Sequence, residues 1–485
     1  MSLREKTIHG IAWAMLARLG GQALQYGVSI LLARLLIPAD FGRVGMVMVF
    51  TGFASIFIDF GIGAALLERR DLTDEQADAA FSATVTVGLS MTAVFALLAP
   101  LVATFYGQPD LAPLTRVAAL SFALTSFGIV PRVMFQRKME VKRLALVDFS
   151  ANFVSSIVGS ALALAGAGVW AIVGMTLAGN VTNSGLAFIR SGWRPKSFFR
   201  FAAARPLIRM SLHLLFFNIL NYWARSLDNL LVGKRLGEAQ LGYYTRAYSL
   251  MLLPLSQVTG VISAGVLPAM AQASGDKPRV LRGYLDAIRM IAFVVFPTMV
   301  GLTLVADPFI RVVYGEKWAA TIPVLRVLGV VGILQSFTNP TGWIYVTQGR
   351  TDRMARWGLG ACPAILAALA IGASFGSTLA VAYAYLIVNI ILTPIGIAYS
   401  GALIGLTPLM LLGRIFPTIL TTAGMAVVVI ALGQVGFVAA RPGTHLAIAT
   451  AAGIVSYVTL NYAFKTPALI EIRNLLASRL ARRAR

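Results

Sequence analysis

The chain has 485 residues, of which 58% are hydrophobic and only 12% charged, and its mean hydropathy is +0.78. Soluble domains carry about 25% charged residues, so water is excluded as the main solvent. A net charge of +22, from 41 Lys and Arg against 19 Asp and Glu, would suggest nucleic acid in a soluble protein. Here the basic residues cluster in alternate loops, so the charge is read as a topology signal facing anionic lipid, with the lipid bilayer as partner and no nucleic acid.

Apolar stretches of the roughly 20 residues that cross a bilayer recur along the whole chain. They predict an all-α polytopic membrane protein of about 14 transmembrane helices. The expected spans are 10–34, 43–67, 79–105, 111–131, 145–166 and 169–189, then 207–232, 242–268, 286–306, 319–347, 357–375 and 379–402, and finally 409–433 and 444–464. The opening MSLREKTIHG runs into the first stretch without a small-residue cleavage site and is read as leading a retained span. The domain plan is an N-terminal lobe at 1–190, a basic connector at 191–206, a C-terminal lobe at 207–402, two further spans within 403–465, and a basic tail at 466–485.

The single Cys362 can form no disulfide within the chain, and His9, His213 and His445 lie far apart with no partner at metal-ligand spacing. No metal and no cofactor are expected, with H+ or Na+ left as candidate coupling ions.

Sliding the sequence over itself by 200 residues lays ARLLIPADFG at 33–42 onto GKRLGEAQLG at 233–242. This repeat divides the first twelve spans into six plus six, a plan in which carriers place substrate between two similar bundles. Span 1 presents Arg18, Gln22, Gln25 and Ser29 on one helical face, and span 7 presents Asn218, Asn221, Arg225 and Asn229 at nearly the same spacing. Span 2 adds Thr51, Ser55 and Asp59, and Asp228 lies one turn beyond Arg225. A single Arg at the bilayer centre costs about 2.5–3.5 kcal/mol on insertion scales, so these stripes should face protein or water. Two readings stay open: a shared substrate cavity, or helix-bridging contacts such as Arg225 with Asp228. Asp59 and Asp228 are candidates for ion coupling or for structural pairing with a neighbouring Arg.

The segment ARLLIPADFGRVGMVMVFTGFASIFIDFG at 33–61, followed by GAALLERRDLT at 63–73, FGIVPRVMFQRKM at 127–139 and GAGVWAIV at 166–173, resembles the polysaccharide transporter branch of the multidrug/oligosaccharidyl-lipid/polysaccharide exporter superfamily. That branch contains the Wzx-type lipid-linked oligosaccharide flippases, and the colanic-acid-type members are the ones this text is similar to. The resemblance implies alternating access. It implies transfer of an undecaprenyl-pyrophosphate-linked oligosaccharide from the cytoplasmic to the periplasmic leaflet, no enzymatic step, and polysaccharide polymerase and export machinery as partners. It also implies cationic cavity residues for the anionic head, for which Arg18, Arg225 and Arg246 are the candidates. The alternatives are a multidrug or small-cation exporter of the same superfamily, or a membrane glycosyltransferase or polymerase.

With the N-terminus in the cytoplasm, 28 basic residues fall on the cytoplasmic side and 7 on the opposite side. The positive-inside rule then places both termini and the 191–206 connector in the cytoplasm of a bacterial inner membrane. Green fluorescent protein fused to either terminus should fluoresce, and alkaline phosphatase at the same points should be inactive. Phosphatase activity from a C-terminal fusion would overturn this topology.

Overall fold

The computed structural model describes residues 20–59, 62–69, 71–196, 219, 222–223, 226–435, 441–471 and 473, and the side chain of Asp59 lies outside this set. Among the described residues the secondary structure is helical, with no strand. Helix α1 covers 20–35, α2 Pro38–Asp59, α3 Ile62–Glu68, α4 Asp74–Tyr106, α5 Leu111–Arg137, α6 Val141–Leu164 and α7 Trp170–Arg190. Helix α8 covers 226–236, α9 Glu238–Gln272, α10 Lys277–Leu304, α11 Ala306–Val313, α12 Thr321–Thr338 and α13 Thr341–Thr347. The last four are α14 Thr351–Ser374, α15 Thr378–Gly401, α16 Pro408–Gly433 and α17 Pro442–Ala463.

Twelve segments among the described residues are long and apolar enough to cross a membrane. They match predicted spans 2–6 and 8–14. Spans 1 and 7 continue as helix over 20–35 and 226–236, with their remaining residues outside the described set. The chain is thus a multi-pass membrane protein of the predicted class.

Several helices overrun the predicted spans. α4 has 33 residues and α9 has 35, and at 1.5 Å per residue the longer reaches about 52 Å against a hydrocarbon core of about 30 Å. Arg132, Arg137, Lys142 and Arg143, which lie between the predicted spans, are therefore helical. Hydropathy registers where lipid ends, whereas the backbone goes on hydrogen-bonding to itself in water when the sequence supplies a cap. Thr73 and Gln76 form a reciprocal capping box at the start of α4, and Asp276 accepts from Arg279 N at 3.1 Å at the start of α10.

The chain forms two compact units, Met1–Gly242 and Tyr243–Arg485. In the first, α4 packs on α5, α5 on α7, α6 on α7, and α2 lies against α5. A core of Ala54, Ile58, Phe95, Ala119 and Phe122 joins α2, α4 and α5. In the second, α10 is central, contacting both α12 and α16, and α16 pairs with α17. Val305, Met425, Val429, Ala449 and Tyr457 form the core beneath them, and the Tyr457 hydroxyl donates to the Phe293 carbonyl at 2.8 Å. Near the middle of α10, Arg289 pairs with Asp286 and Glu471, and Arg414 of α16 pairs with Asp286. Spans 13 and 14, which exceed the six-plus-six plan, are thus held against α10 by an apolar core and a charged cluster.

The 200-residue repeat is visible in the backbone. α1 stops at 35 and α2 starts at Pro38; α8 stops at 236 and α9 starts at Glu238. Gly237, with φ of +84°, makes the second break in the left-handed region that glycine enters without steric cost. The two helix starts then pack reciprocally: a Cβ on Gly42 would lie 1.7 Å from the Glu238 carbonyl oxygen, and a Cβ on Gly242 would lie 2.0 Å from the Pro38 carbonyl oxygen. Only a residue without a side chain allows that approach. Arg43 closes the contact with a two-pronged bond to Glu238, Nε to Oε2 at 3.0 Å and Nη2 to Oε1 at 2.9 Å. Gly42→Ala should therefore cost about 1–3 kcal/mol through overpacking against a backbone that cannot yield, read as a lower melting midpoint of the purified protein. Gly265→Ala, which meets nothing within 4 Å, should leave the midpoint unchanged or higher. Equal midpoints for the two variants would show that the close contact carries no energy.

Candidate functional site

A cavity of about 830 Å³ opens in the first unit between α2, α5 and α7. Each helix contributes polar residues at helical spacing: Thr51 and Ser55 from α2; Ser121, Thr125, Arg132 and Gln136 from α5; Thr176, Asn180, Asn183 and Ser184 from α7. On α5 the intervals are four, seven and four, and on α7 the first two are four and three, so each set forms one stripe. Apolar residues, including Val47, Phe122 and Ile172, fill the spaces between them.

Three of the lining hydroxyls are satisfied locally. Thr51 donates to Val47 O at 3.1 Å, Ser55 to Thr51 O at 2.9 Å, and Thr176 to Ile172 O at 2.9 Å. Each of these three spends its proton on its own helix and keeps oxygen lone pairs for a guest. The side-chain amides of Gln136 and Asn180 make no hydrogen bond among the described residues, so each offers two donors and an acceptor.

Arg132 is the cationic group of the lining. Its Nη1 donates to Asp148 Oδ1 of α6 at 2.5 Å and to Asn183 Oδ1 of α7 at 2.8 Å, and its Nη2 has a longer contact with Asp148 Oδ2 at 3.4 Å. Asn183 Nδ2 in turn donates to Asp148 Oδ1 at 3.0 Å. This closed triangle balances the guanidinium with one carboxylate and ties α5 to α6 and α7. Among the described lining residues there is no carboxylate.

Of the residues singled out from the sequence, Thr51 and Ser55 line this cavity. Arg18, Asn218, Asn221 and Arg225 are outside the described residues, as is the side chain of Asp59, whose backbone ends α2. Gln22 and Ser29 are half-buried on α1, and Gln25 is exposed there. On α8, Asp228 is buried and its Oδ1 accepts from Asn229 N at 2.7 Å, while Asn229 is half-buried. Arg246, in the second unit, lies over the rings of Tyr314 and Trp318, at 5.1 and 5.2 Å from their centroids. That is a cation–π seat. Of the described residues among these others, none lines the cavity. Sequence reasoning took Thr51 and Ser55 as a stripe but passed over the matching stripes of α5 and α7, which the same spacing test would have found.

If the cavity is hydrated, Ser121→Cys and Asn180→Cys, each in a Cys362→Ser background, should react with a charged thiol reagent in membranes. Leu97→Cys, at a residue 80% exposed on the apolar outer surface of α4, should not. Equal protection at all three positions would mean that the cavity is closed to water.

Sequence and structure comparisons add relatives to this geometry. The sequence model of polysaccharide biosynthesis proteins matches residues 31–323. The lipopolysaccharide biosynthesis protein WzxC of Escherichia coli (strain K12) is 28% identical over 399 residues, covering 81% of this chain and 80% of the relative. The teichuronic acid biosynthesis protein TuaB of Bacillus subtilis (strain 168) is 26% identical over 466 residues, covering 95% and 96%. Among solved structures, the lipid II flippase MurJ in an inward closed conformation superposes with a TM-score of 0.75 at 16% identity, over 93% of this chain and 98% of that one. An inward-facing multidrug resistance transporter of the MATE family gives 0.64 at 18% identity, over 79% and 94%. At such identities the structural likeness is one of fold. The match over residues 31–323, more than half of its length, places this chain in the polysaccharide biosynthesis protein family.

Proposed function

We propose that the protein is a flippase that carries an undecaprenyl-pyrophosphate-linked oligosaccharide repeat unit from the cytoplasmic to the periplasmic leaflet of a bacterial inner membrane, for exopolysaccharide, capsule or O-antigen assembly. It moves its substrate by alternating access and changes no covalent bond. The observation that carries this reading is the cavity itself: hydroxyls and amides for sugar hydroxyls, one guanidinium for a phosphate, and no carboxylate among the described lining residues. Family membership and relatives named for polysaccharide assembly support it, as does a relative named as the succinoglycan biosynthesis transport protein ExoT of Rhizobium meliloti (strain 1021). A small-cation exporter on the same fold would place acidic groups where this cavity has Arg132.

The lipid tail stays in the bilayer while its head crosses. A head with about two negative charges moving outward gains up to roughly 4.6 kcal/mol per 100 mV of inside-negative potential. In this reading Arg18 and Arg225 serve substrate charge, Asp59 and Asp228 are the candidates for H+ or Na+ coupling, and a polysaccharide polymerase receives the product.

The test is to delete the gene and follow the lipid-linked oligosaccharide. Complete repeat units should accumulate out of reach of a membrane-impermeant lectin added to the periplasmic face, and the restored gene should return them to it. Normal periplasmic exposure without the protein, or new glycosidic bonds made by the purified protein, would overturn the flippase reading.

A further inference from the structure

We infer that Arg132 is the diphosphate-receiving group of the first-unit cavity, and that Asp148 is a built-in competitor that occupies Arg132 when no substrate is bound and helps to expel the head afterwards. The inference rests on the flippase reading and names the part of the substrate that this site takes.

Three observations support it. The guanidinium is only partly engaged: Nη1 makes both short bonds, to Asp148 and Asn183, whereas Nη2 has only the 3.4 Å contact. Nε makes no hydrogen bond among the described residues. The Nε–Nη2 edge, the edge with which arginine grips two oxygens of one phosphate, is thus largely unspent. Next, the uncharged donors nearby suit a second phosphate, with Gln136 one turn further along α5 and Asn180 one turn before Asn183 on α7, both lining the same cavity and neither hydrogen-bonded among the described residues. Finally, the Asp148 side chain is 43% exposed and that of Arg132 31% exposed. A carboxylate that accessible can be solvated when displaced, so exchange of Asp148 for phosphate does not strand a buried charge.

The placement fits delivery from the cytoplasmic side. Arg132 lies five residues before the end of α5, about 7.5 Å along the helix from Arg137, with the basic residues Arg137, Lys138, Lys142 and Arg143 just beyond it. These would raise the local concentration of a diphosphate-bearing head before it reaches Arg132. Asn183 holds both partners, so it and Asp148 are positioning residues that act through Arg132.

The experiment uses the full-length protein in nanodiscs and measures binding of two probes, farnesyl diphosphate and inorganic pyrophosphate. Arg132→Ala should weaken both by about tenfold or more, and Arg132→Lys, which loses the fork but keeps the charge, by less. Asp148→Asn should tighten both several-fold while slowing transport, an outcome that a purely structural ion pair would not give. Arg116→Gln, an exposed charge near the start of α5 and away from the basic cluster at its other end, controls for net charge, and melting midpoints control for folding. A larger effect on farnesyl diphosphate identifies a lipid-linked head as the ligand, whereas equal effects identify the diphosphate alone. The proposal fails if Arg132→Ala binds like the parent, if Asp148→Asn weakens binding in a folded protein, or if the charge exchange Arg132→Asp with Asp148→Arg retains diphosphate affinity. Because binding is read apart from leaflet transfer, those failures leave the flippase reading standing. Conversely, a protein that binds diphosphate through Arg132 but leaves lipid-linked saccharide in its original leaflet would overturn only that reading.

Discussion

Hydrocarbon supplies no hydrogen-bond partner, so each polar group carried into a span must find one within the protein or beside trapped water. The architecture follows from that demand. The backbone of every described span is helical, and serine and threonine hydroxyls return their protons to the preceding turn, as at Thr51, Ser55 and Thr176. Large apolar side chains such as Leu97, Leu409 and Val455 turn outward because the surroundings are as apolar as they are. What remains inside is a set of polar stripes that no lipid can satisfy, and in the first unit three of them meet around a cavity.

Charge is handled by the same rule, but with different partners at different places. Arg132 is balanced by the Asp148 carboxylate and held by Asn183, and Arg246 is seated over the faces of Tyr314 and Trp318. Arg289 and Arg414 share Asp286, with Glu471 completing the cluster. The last of these ties α10 to α16 and to the segment after α17, so one change of partner would loosen several elements. The Arg132 triangle differs in lining an open space.

Close helix contact in this protein depends on missing side chains as much as on those present. The reciprocal approach of Gly42 to Glu238 and of Gly242 to Pro38 brings two repeat-related helix starts to backbone distance, which small residues permit and van der Waals packing rewards in a membrane. The Arg43–Glu238 pair sits on that contact and fixes its register through two nearly equal bonds. The repeated sequence therefore encodes a repeated break in the helix and also the surface by which its two copies meet.

Much of this was legible in the sequence because the bilayer imposes a one-dimensional signal: about twenty apolar residues per crossing, with polar stripes at a period near four. Class, approximate span count, the 200-residue repeat and the helix break it carries all follow from that signal, since they depend on neighbours along the chain. Span ends did not, because hydropathy changes where lipid ends and the helix ends where its caps lie; Arg132 was thereby read as a loop residue although it stands inside α5. The stripes of α5 and α7 were present at helical spacing, but nothing along the chain ranks them above the stripe of α1. Only tertiary packing decides that Ser121, Asn180 and Thr51 share one cavity, or that Asp148, from a fourth helix, reaches Arg132. Those pairings join residues 16 to 129 positions apart, and their geometry is set by how helices lean on one another, a property that no local sequence window contains.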